Sequence, residues 1–199
     1  MRGILFLIFL LLALTPLQAE PLIAVYFSPH GGCTKAVVQA VAGARKSVLV
    51  EAYSFTSLPI AKALIAAKHR GNRVIVLLDK GELADRYSAA TLLSRSGVPV
   101  YIDPAFRIAH SKVMILDRST VITGSFNFTK SAEESNSENL LVISKAPDLA
   151  RKYTAAWNQH LALSLPYSDH HASRHTSHHH KALFNPFKTL GNFFHSLGI

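Results

Sequence analysis

Strand-like and helix-like segments alternate along most of this chain, and this alternation is the feature that most restricts its fold. The strand-like segments are short, apolar and rich in β-branched or aromatic residues: LIAVYFS, VLVEAYSF, RVIVLLD, VPVYID, the two arms of HSKVMILDRSTVITGSFNFT, and NLLVIS. The segments between them carry apolar residues at helical spacing, and two of them stop at a glycine, Gly71 and Gly97. Helices between apolar strands predict an α/β fold, a single domain with a mixed, largely buried β-sheet flanked by helices on both faces.

The length and the apolar content of the chain agree with one folded domain. Its 199 residues suit a domain of ordinary size, and 49% hydrophobic against 17% charged residues exclude a disordered chain. Lys and Arg outnumber Asp and Glu by 21 to 12, which gives a formal charge of +9. Such a charge favours anionic partners such as nucleic acid or acidic lipid headgroups, although a basic protein without such a partner fits the charge equally well.

The N-terminus, residues 1–19, resembles a secretory signal peptide. Arg2 precedes an uninterrupted apolar run from Ile4 to Leu14. This run is shorter than the stretch of about 20 residues that crosses a bilayer, so cleavage after Ala19 is favoured over a retained anchor. We therefore expect an exported protein, either periplasmic or secreted.

The character of the chain changes after Leu165, which divides it into a folded domain at residues 20–165 and a tail at residues 166–199. The tail holds seven of the eleven histidines, most of them in HHASRHTSHHH. This segment predicts a pH-sensitive cationic tail, with transition-metal binding as the alternative. Apolar residues recur near its end at spacings of three and four: Leu183, Phe187, Leu190, Phe194 and Leu197. That pattern predicts an amphipathic helix that could dock on the domain, on a partner or at a membrane surface.

One stretch of hairpin length, HSKVMILDRSTVITGSFNFT, collects polar residues that can perform chemistry. Residues two apart in a strand share a face. A two-residue turn at Arg118–Ser119 predicts the following opposite pairs: Asp117 with Thr120, Lys112 with Ser125, and His110 with Asn127. This register would place the histidine, the lysine, the serine and the asparagine on one face, and a slip of one residue would replace them with others. Arg-Ser is not a strong tight-turn dipeptide, and a four-residue loop would preserve the same facing.

The predicted polar face suits an anionic phosphoryl group. Lys112 supplies a positive charge, and Ser125 and Asn127 supply hydrogen-bond donors. His110 can attack phosphorus or transfer protons near neutral pH. Gly124 leaves room for a ligand beside the backbone. A chance polar face on a solvated hairpin would carry similar residue types, so the spacing of the residues has to decide between the two interpretations.

That spacing is specific. Starting at His110, the pattern His-x-Lys-x4-Asp-x6-Gly-Ser-x-Asn fits the HKD motif at every defined position. On this motif the chain resembles the phospholipase D superfamily, and it is most similar to the small, single-motif bacterial endonucleases. The likeness continues into VEAYSFTSLPIAKALIAAKHRGNRVIVLLD before the motif and SAEESNSENLLVIS after it, and together these cover most of residues 22–160.

The resemblance implies a role for each polar residue of the motif. His110 would be the nucleophile that attacks phosphorus and forms a covalent phosphohistidine, which water then hydrolyses. Lys112 and Asn127 would hold the non-bridging oxygens of the phosphate. Ser125 would add a hydrogen bond to the phosphate or its neighbours.

Two acidic residues have different implied roles. Glu138 matches the family's downstream acidic residue and would orient the imidazole of His110. Asp117 faces away from His110 in the predicted register, so its role would be structural, holding the hairpin through hydrogen bonds or a nearby cation. The resemblance implies neither a catalytic metal nor another cofactor. The aromatic residues nearby, Tyr53 and Phe55, predict packing in the core.

The HKD motif occurs once, whereas the family's mechanism uses two histidines, one attacking and one protonating the leaving oxygen. His30, His69 and His160 each lack a lysine two positions later, and Gly-Ser-x-Asn is not repeated. We therefore predict a homodimer in which two copies of the chain form one composite site.

Three functions are consistent with these patterns. The first is hydrolysis of nucleic acid by an endonuclease with little sequence specificity. Its substrate would be DNA and possibly RNA, single-stranded or double-stranded. The second is a phospholipase D-type hydrolase of phospholipid headgroups, because the same chemistry serves lipids. The third is a binding module without activity, against which the complete motif argues.

Overall fold

The structure is a computed structural model that describes residues 20–168. The predicted signal peptide and residues 169–199 of the predicted tail lie outside the described residues, so both interpretations stay predictions. The α-helices within the described range are α1 (Cys33–Gly43), α2 (Leu58–His69), α3 (Ala90–Arg95), α4 (Lys130–Glu134) and α5 (Pro147–Ala162). The strands are β1 (Leu22–Ser28), β2 (Ser47–Ala52), β3 (Arg73–Asp79), β4 (Val100–Asp103), β5 (Lys112–Leu116), β6 (Thr120–Gly124), β7 (Glu138–Ser144) and β8 (Leu165–Pro166).

The strands of residues 20–168 form one mixed sheet of eight strands, in the order β1-β7-β6-β5-β2-β3-β4-β8. β2, β3 and β4 are parallel, and the other neighbours are antiparallel. The predicted α/β fold with a mixed sheet in a single domain is therefore confirmed. None of the helices in this part of the chain is long and apolar enough to cross a membrane.

Helices cover both faces of the sheet because successive strand residues point to opposite sides. On one face, Val50 of β2 belongs to the same apolar cluster as Val37 of α1 and Leu64 of α2. On the other face, Leu49 of β2 packs in a second cluster with Trp157 of α5. The indole Nε1 of Trp157 donates to the carbonyl oxygen of Val50 at 3.0 Å, which satisfies its polar atom inside the core.

The predicted register of the hairpin between β5 and β6 was wrong by one residue. Leu116 lies opposite Thr120 and Met114 lies opposite Ile122. The loop therefore contains three residues, 117–119, instead of the predicted two. Because the side-chain period of a strand is two, this slip alone would turn the predicted residues of β6 to the other face.

Asp117 explains why the loop is longer than predicted. Its Oδ1 accepts the backbone N–H groups of Lys46 at 2.7 Å and Ser47 at 2.9 Å, and its Oδ2 accepts that of Arg45 at 2.9 Å. Asp117 and Arg118 adopt left-handed φ angles of 52° and 56°. The carboxylate thus fastens the hairpin to the turn between α1 and β2, while the backbone N–H of Asp117 still donates to the carbonyl oxygen of Ser47 at 2.9 Å.

A β-bulge at the end of β6 restores the outward facing of the motif residues. Continued by one residue, the register puts Gly124 beside Lys112, where Ser125 was predicted. The backbone N–H groups of Ser125 and Phe126 then both donate to the carbonyl oxygen of Asn139 at 3.1 Å. Phe126 is thereby buried and Ser125 exposed. Gly124 has φ 149°, and a Cβ there would lie 2.3 Å from the same oxygen, so only glycine fits this position.

The contacts of Asp117 predict a pH-dependent contribution to stability. Burial alone would raise its pKa, but the three backbone donors outweigh burial and hold the pKa below its ordinary value. The carboxylate therefore stabilises the fold above about pH 4, and this contribution is lost as the pH falls through the folded pKa. Asp117→Asn keeps a residue that tolerates left-handed φ but removes the charge and one acceptor.

We expect Asp117→Asn to lose about 2 kcal/mol of unfolding free energy at pH 7 and less at pH 3. Urea unfolding of both proteins at the two pH values measures this difference. An equal loss at both pH values would contradict the role of the charge.

Candidate active site

The predicted site residues gather at one edge of the sheet. β2 ends at Ala52, and the antiparallel strand β5 begins opposite it at Lys112. β6 ends at Gly124, which lies opposite Leu140 near the start of β7. The segments that leave or enter the sheet at this edge carry His110, Lys112, Ser125, Asn127 and Glu138. Asp117 lies at the other end of β5.

His110 and Lys112 are in direct contact. The Nζ atom of Lys112 donates to the carbonyl oxygen of His110 at 2.7 Å and lies 3.0 Å from Nδ1 of its imidazole. Lys112 is only 6% exposed, whereas His110 is exposed to solvent. Burial lowers the pKa of Lys112, and the negative charge of Glu138 acts in the opposite direction. Among the described ion pairs, none joins Lys112 to a carboxylate, so its ammonium can take an anion that enters the site.

The Ser125 hydroxyl is oriented by its neighbours. Its Oγ accepts the backbone N–H of Asn139 at 3.0 Å and the side-chain Nδ2 of the same residue at 3.3 Å. Both contacts use the oxygen as acceptor, so the hydroxyl proton is available to a ligand. Ser125 can therefore donate to a phosphate oxygen at the edge of the sheet.

Asn127 has a polar atom that the fold leaves without a partner. Its Oδ1 is buried and makes no hydrogen bond among the described residues. Buried side-chain polar atoms nearly always have a partner, and exchanging the oxygen and nitrogen of the amide would place a donor at the same point. An external group at this edge, such as a phosphate oxygen for the amide N–H, would satisfy Asn127.

Glu138 does not contact His110 within one chain. Its Oε1 accepts from Nδ2 of Asn136 at 3.2 Å, and the structure gives it no hydrogen bond to the imidazole. Its described effect on the site is electrostatic, through the pKa of Lys112. The role predicted for Glu138, orientation of the imidazole, stays a prediction.

Tyr53 is a site residue that the sequence analysis missed. We predicted it to pack in the core, but it is half-buried and its ring lies against His110, with 4.4 Å between the ring centroids. The sequence could have indicated this role through the position of Tyr53, which directly follows a strand at the edge of the sheet where the motif begins. Phe55, in contrast, is fully buried as predicted.

Glu82 is a second residue that the sequence patterns did not indicate. It lies in a 3-10 turn after β3, and burial raises its pKa to about 7 against the opposing effects of its hydrogen bonds. Its two oxygens accept the hydroxyl of Ser88 at 2.6 Å and the backbone N–H of Phe55 at 3.2 Å. Glu82 therefore anchors the segment that follows Tyr53.

The donor set of the site suits an anion. A buried ammonium, a hydroxyl donor and an amide lie at the edge that carries the exposed imidazole, which is an arrangement for binding and attacking a phosphoryl group. Among residues 20–168, no group of three or more His, Cys, Asp or Glu side chains could hold a metal ion.

Comparison with known sequences identifies the family. Residues 37–161 match the family described as "Cardiolipin synthase, PLD-like domain". The chain belongs to the phospholipase D superfamily. The matched range includes the whole β5–β6 hairpin, so the resemblance predicted from the HKD motif is confirmed. Membership also supports a hydrolase at the level of the superfamily.

Curated relatives carry two names. Phospholipase D of Rickettsia bellii is 43% identical over 131 residues, which cover 66% of this chain and 65% of that protein. Mitochondrial cardiolipin hydrolase of Canis lupus familiaris is 33% identical over 116 residues, which cover 58% of this chain and 46% of that protein. The chain thus spans less than two thirds of the length of these relatives.

Solved structures of the family share the fold. Nuc, a phospholipase D family member from Salmonella typhimurium, has 41% sequence identity and a TM-score of 0.72, and the match covers 75% of this chain and 100% of that one. NucT from Helicobacter pylori has 23% identity and a TM-score of 0.69 over 74% of this chain and 100% of its own, which shows a common fold. The predicted phospholipase D-like architecture is therefore confirmed.

Proposed function

We propose that this protein is a phosphodiesterase that hydrolyses nucleic acid with little dependence on base sequence. His110 forms a covalent phosphohistidine, and two copies of the chain build one composite site. The observation that carries the proposal is the contact between the exposed imidazole of His110 and the buried ammonium of Lys112, 3.0 Å apart. It joins a nucleophile to a cation that has no carboxylate ion pair among the described residues.

The reaction proceeds in two displacements. A ring nitrogen of His110 attacks phosphorus, so that a P–N bond forms while the P–O bond to the leaving group breaks. A second imidazole gives its proton to the leaving oxygen. Water then attacks the phosphohistidine and gives a proton to that second imidazole, and the P–N bond breaks to release the phosphate monoester. Lys112 and Asn127 bind the non-bridging oxygens throughout.

The geometry of His110 implies a change on substrate binding. An ammonium only donates, so Nδ1 accepts in the contact with Lys112 and the neutral ring carries its proton on Nε2. Attack through Nε2 needs that proton on Nδ1. The ammonium of Lys112 therefore turns from Nδ1 to a phosphate oxygen when the substrate binds.

Among the described residues, no second histidine of the same chain lies at the site, so we infer that the second imidazole comes from another copy of the chain. His30 follows β1 at the same edge, but β7 and β6 separate β1 from β5, a distance of about 14 Å. His69 lies at the end of α2, at the opposite edge of the sheet, and the Nδ1 of His160 faces Asp103. A two-fold axis near His110 would bring the same histidine of a second copy to the phosphate.

Nucleic acid is the favoured substrate for two reasons. The formal charge of +9 suits a polyanion. The single HKD motif is most similar to that of the small, single-motif bacterial endonucleases, and the chain matches Nuc, a family member, over the full length of that chain. Contacts with phosphate oxygens carry no base information, which fits low sequence specificity. The alternative, hydrolysis of phospholipid headgroups, is favoured by the names of the relatives from Rickettsia bellii and Canis lupus familiaris.

Substrate assays in EDTA test the proposal. We expect the full mature chain to nick plasmid DNA and to degrade single-stranded DNA in EDTA at a rate similar to that without chelator. Parallel assays should show no release of headgroup from phosphatidylcholine or cardiolipin vesicles. Lipid hydrolysis without DNA cleavage would support the alternative, and activity that disappears in EDTA would contradict metal independence.

We further propose that residues 1–19 direct export, so that the enzyme acts in the periplasm or outside the cell. The basis is the apolar run from Ile4 to Leu14 in the sequence, which the structure does not describe. Fractionation of cells that express the whole chain, with mass measurement of the product, tests cleavage after Ala19.

A further inference from the structure

One aromatic ring contacts both the nucleophile and the cation of the candidate site. The ring centroid of Tyr53 lies 4.4 Å from that of His110, with an angle of 51° between the ring planes. The Nζ atom of Lys112 lies 4.9 Å from the same Tyr53 centroid. A cation within about 6 Å of an aromatic centroid is attracted by the electron-rich face of the ring. Tyr53 therefore interacts with the two residues on which the chemistry depends.

The backbone holds this ring in place. The N–H of Tyr53 donates to the carbonyl oxygen of Ser111 at 2.9 Å, so the residue between His110 and Lys112 is bonded directly to Tyr53. Two residues later, the N–H of Phe55 donates to Glu82 at 3.2 Å. The ring is thus attached to a segment that is bonded on both sides.

The same segment is also bonded to the other arm of the motif. The N–H groups of Thr56 and Ser57 donate to the carbonyl oxygen of Phe128 at 3.0 and 2.8 Å. Phe128 follows Asn127 directly. The segment that carries Tyr53 therefore spans the two arms, and its position is coupled to both.

We propose that Tyr53 is a positioning residue of the active site. Its ring face orients the imidazole of His110 and holds the Lys112 ammonium until a phosphate binds that ammonium in place of the ring. In the free protein the Tyr53 ring partly compensates the buried charge of Lys112, which has no carboxylate ion pair in the described part of the chain. When phosphate binds, the ammonium can move to it because a cation–π contact is weaker than an ion pair between fully charged groups. The inference rests on the proposed phosphodiesterase chemistry.

Two substitutions separate the ring face from simple packing. Tyr53→Phe keeps the ring and removes only the hydroxyl, whereas Tyr53→Leu keeps apolar volume and removes the electron-rich face. With bis(p-nitrophenyl) phosphate as substrate, we expect Tyr53→Phe to retain kcat within about twofold and Tyr53→Leu to lower it about tenfold. The alkaline limb of the pH–rate profile should move to lower pH in Tyr53→Leu, because the charged form of Lys112 has lost a stabilising contact.

A matched control and a readout without turnover complete the test. Phe55→Leu alters a buried ring of the same segment and should lower Tm without moving the pH–rate profile. In NMR spectra, the imidazole Cε1–H signal of His110, identified by its loss in His110→Gln, should show a ring-current shift that persists in Tyr53→Phe and disappears in Tyr53→Leu.

The outcomes distinguish the two levels of inference. Equal kcat and pH profiles in Tyr53→Leu and wild type would overturn the role of the ring, and so would a Tyr53→Phe variant as impaired as Tyr53→Leu. If wild type hydrolyses no phosphodiester, the proposed function fails. The ring-current result still reports on the contact between Tyr53 and His110 in that case, and an unshifted wild-type signal would overturn it.

Discussion

His110→Gln is expected to abolish phosphodiester hydrolysis while the fold stays intact. Removal of a nucleophile leaves only binding and charge stabilisation, and the rate should fall by about 10⁴-fold or more. Because His110 is exposed, its replacement opens no cavity in the core. Hydrolysis of bis(p-nitrophenyl) phosphate and plasmid nicking measure the activity, and circular dichroism with a thermal melt checks the fold. His69→Gln, at an exposed position at the end of α2, is the matched control and should retain full activity.

The same variant tests whether two copies share one site. When wild-type and His110→Gln chains are mixed, unfolded and refolded together, a composite site is active only if both of its chains are wild type. Activity should then fall with the square of the wild-type fraction, whereas independent sites would give a linear decline. Mixtures with His69→Gln should show no decline. A linear dependence, or an active monomer in light scattering, would contradict the composite site.

His160→Gln is expected to destabilise the fold by about 2–3 kcal/mol, because it removes the imidazole that contacts two buried carboxylates. The Nδ1 atom of His160 lies 3.0 Å from Oδ2 of Asp103 and 3.3 Å from Oε1 of Glu51. The second contact is not a hydrogen bond, and Oε1 of Glu51 has no hydrogen-bond partner among the described residues. Asp103 is 1% exposed and Glu51 is 6% exposed, so water cannot replace the lost partner. The ring of His160 also stacks on Phe106, with 4.6 Å between centroids.

Thermal and urea unfolding of His160→Gln measure this effect, and for a domain of this size Tm should fall by about 10 °C. The partner variant Glu51→Gln provides the control. In a double-mutant cycle, Glu51→Gln should restore part of the stability of His160→Gln, because it removes one of the two buried carboxylates that have lost the imidazole. Additive losses would contradict a coupling between His160 and Glu51. The segment from Asp103 to His110 leads into the motif, so we also expect a lower kcat in His160→Gln.

The fold was accessible from the sequence because its determinants are local. Period-two and helical spacing of apolar residues, with glycines at the ends of helices, indicate which segments are strands and which are helices. Strands such as RVIVLLD, apolar at every position between their two ends, predict burial on both faces, and helices on both faces follow from that. The HKD motif identified the superfamily for the same reason, since its spacing lies within 18 residues of one hairpin.

The register of the β5–β6 hairpin could not be predicted from the hairpin sequence alone. Arg118–Ser119 is not a strong tight-turn dipeptide, but the alternative, a four-residue loop, predicts the same facing, so neither possibility indicated the three-residue loop. Asp117 lies beyond the end of the β5–β6 pairing, and its carboxylate binds the backbone of Arg45, which lies 72 residues earlier in the chain. The compensating bulge likewise depends on Asn139, in the next strand. The predicted facing of Ser125 survived only because these two deviations cancel.

The sequence by itself determined the architecture, the superfamily and the identity of the motif residues, because periodicity and motif spacing are properties of neighbouring positions. Only the tertiary structure decided that Tyr53 lies on His110, that Lys112 is buried without a carboxylate partner, and that Glu138 of the same chain does not reach the imidazole. Such contacts join residues from separate strands, and their distances follow from how the sheet is paired. The physical reason is that the chemistry of a side chain depends on its residue type alone, whereas its burial and its neighbours depend on how all the strands pair and pack.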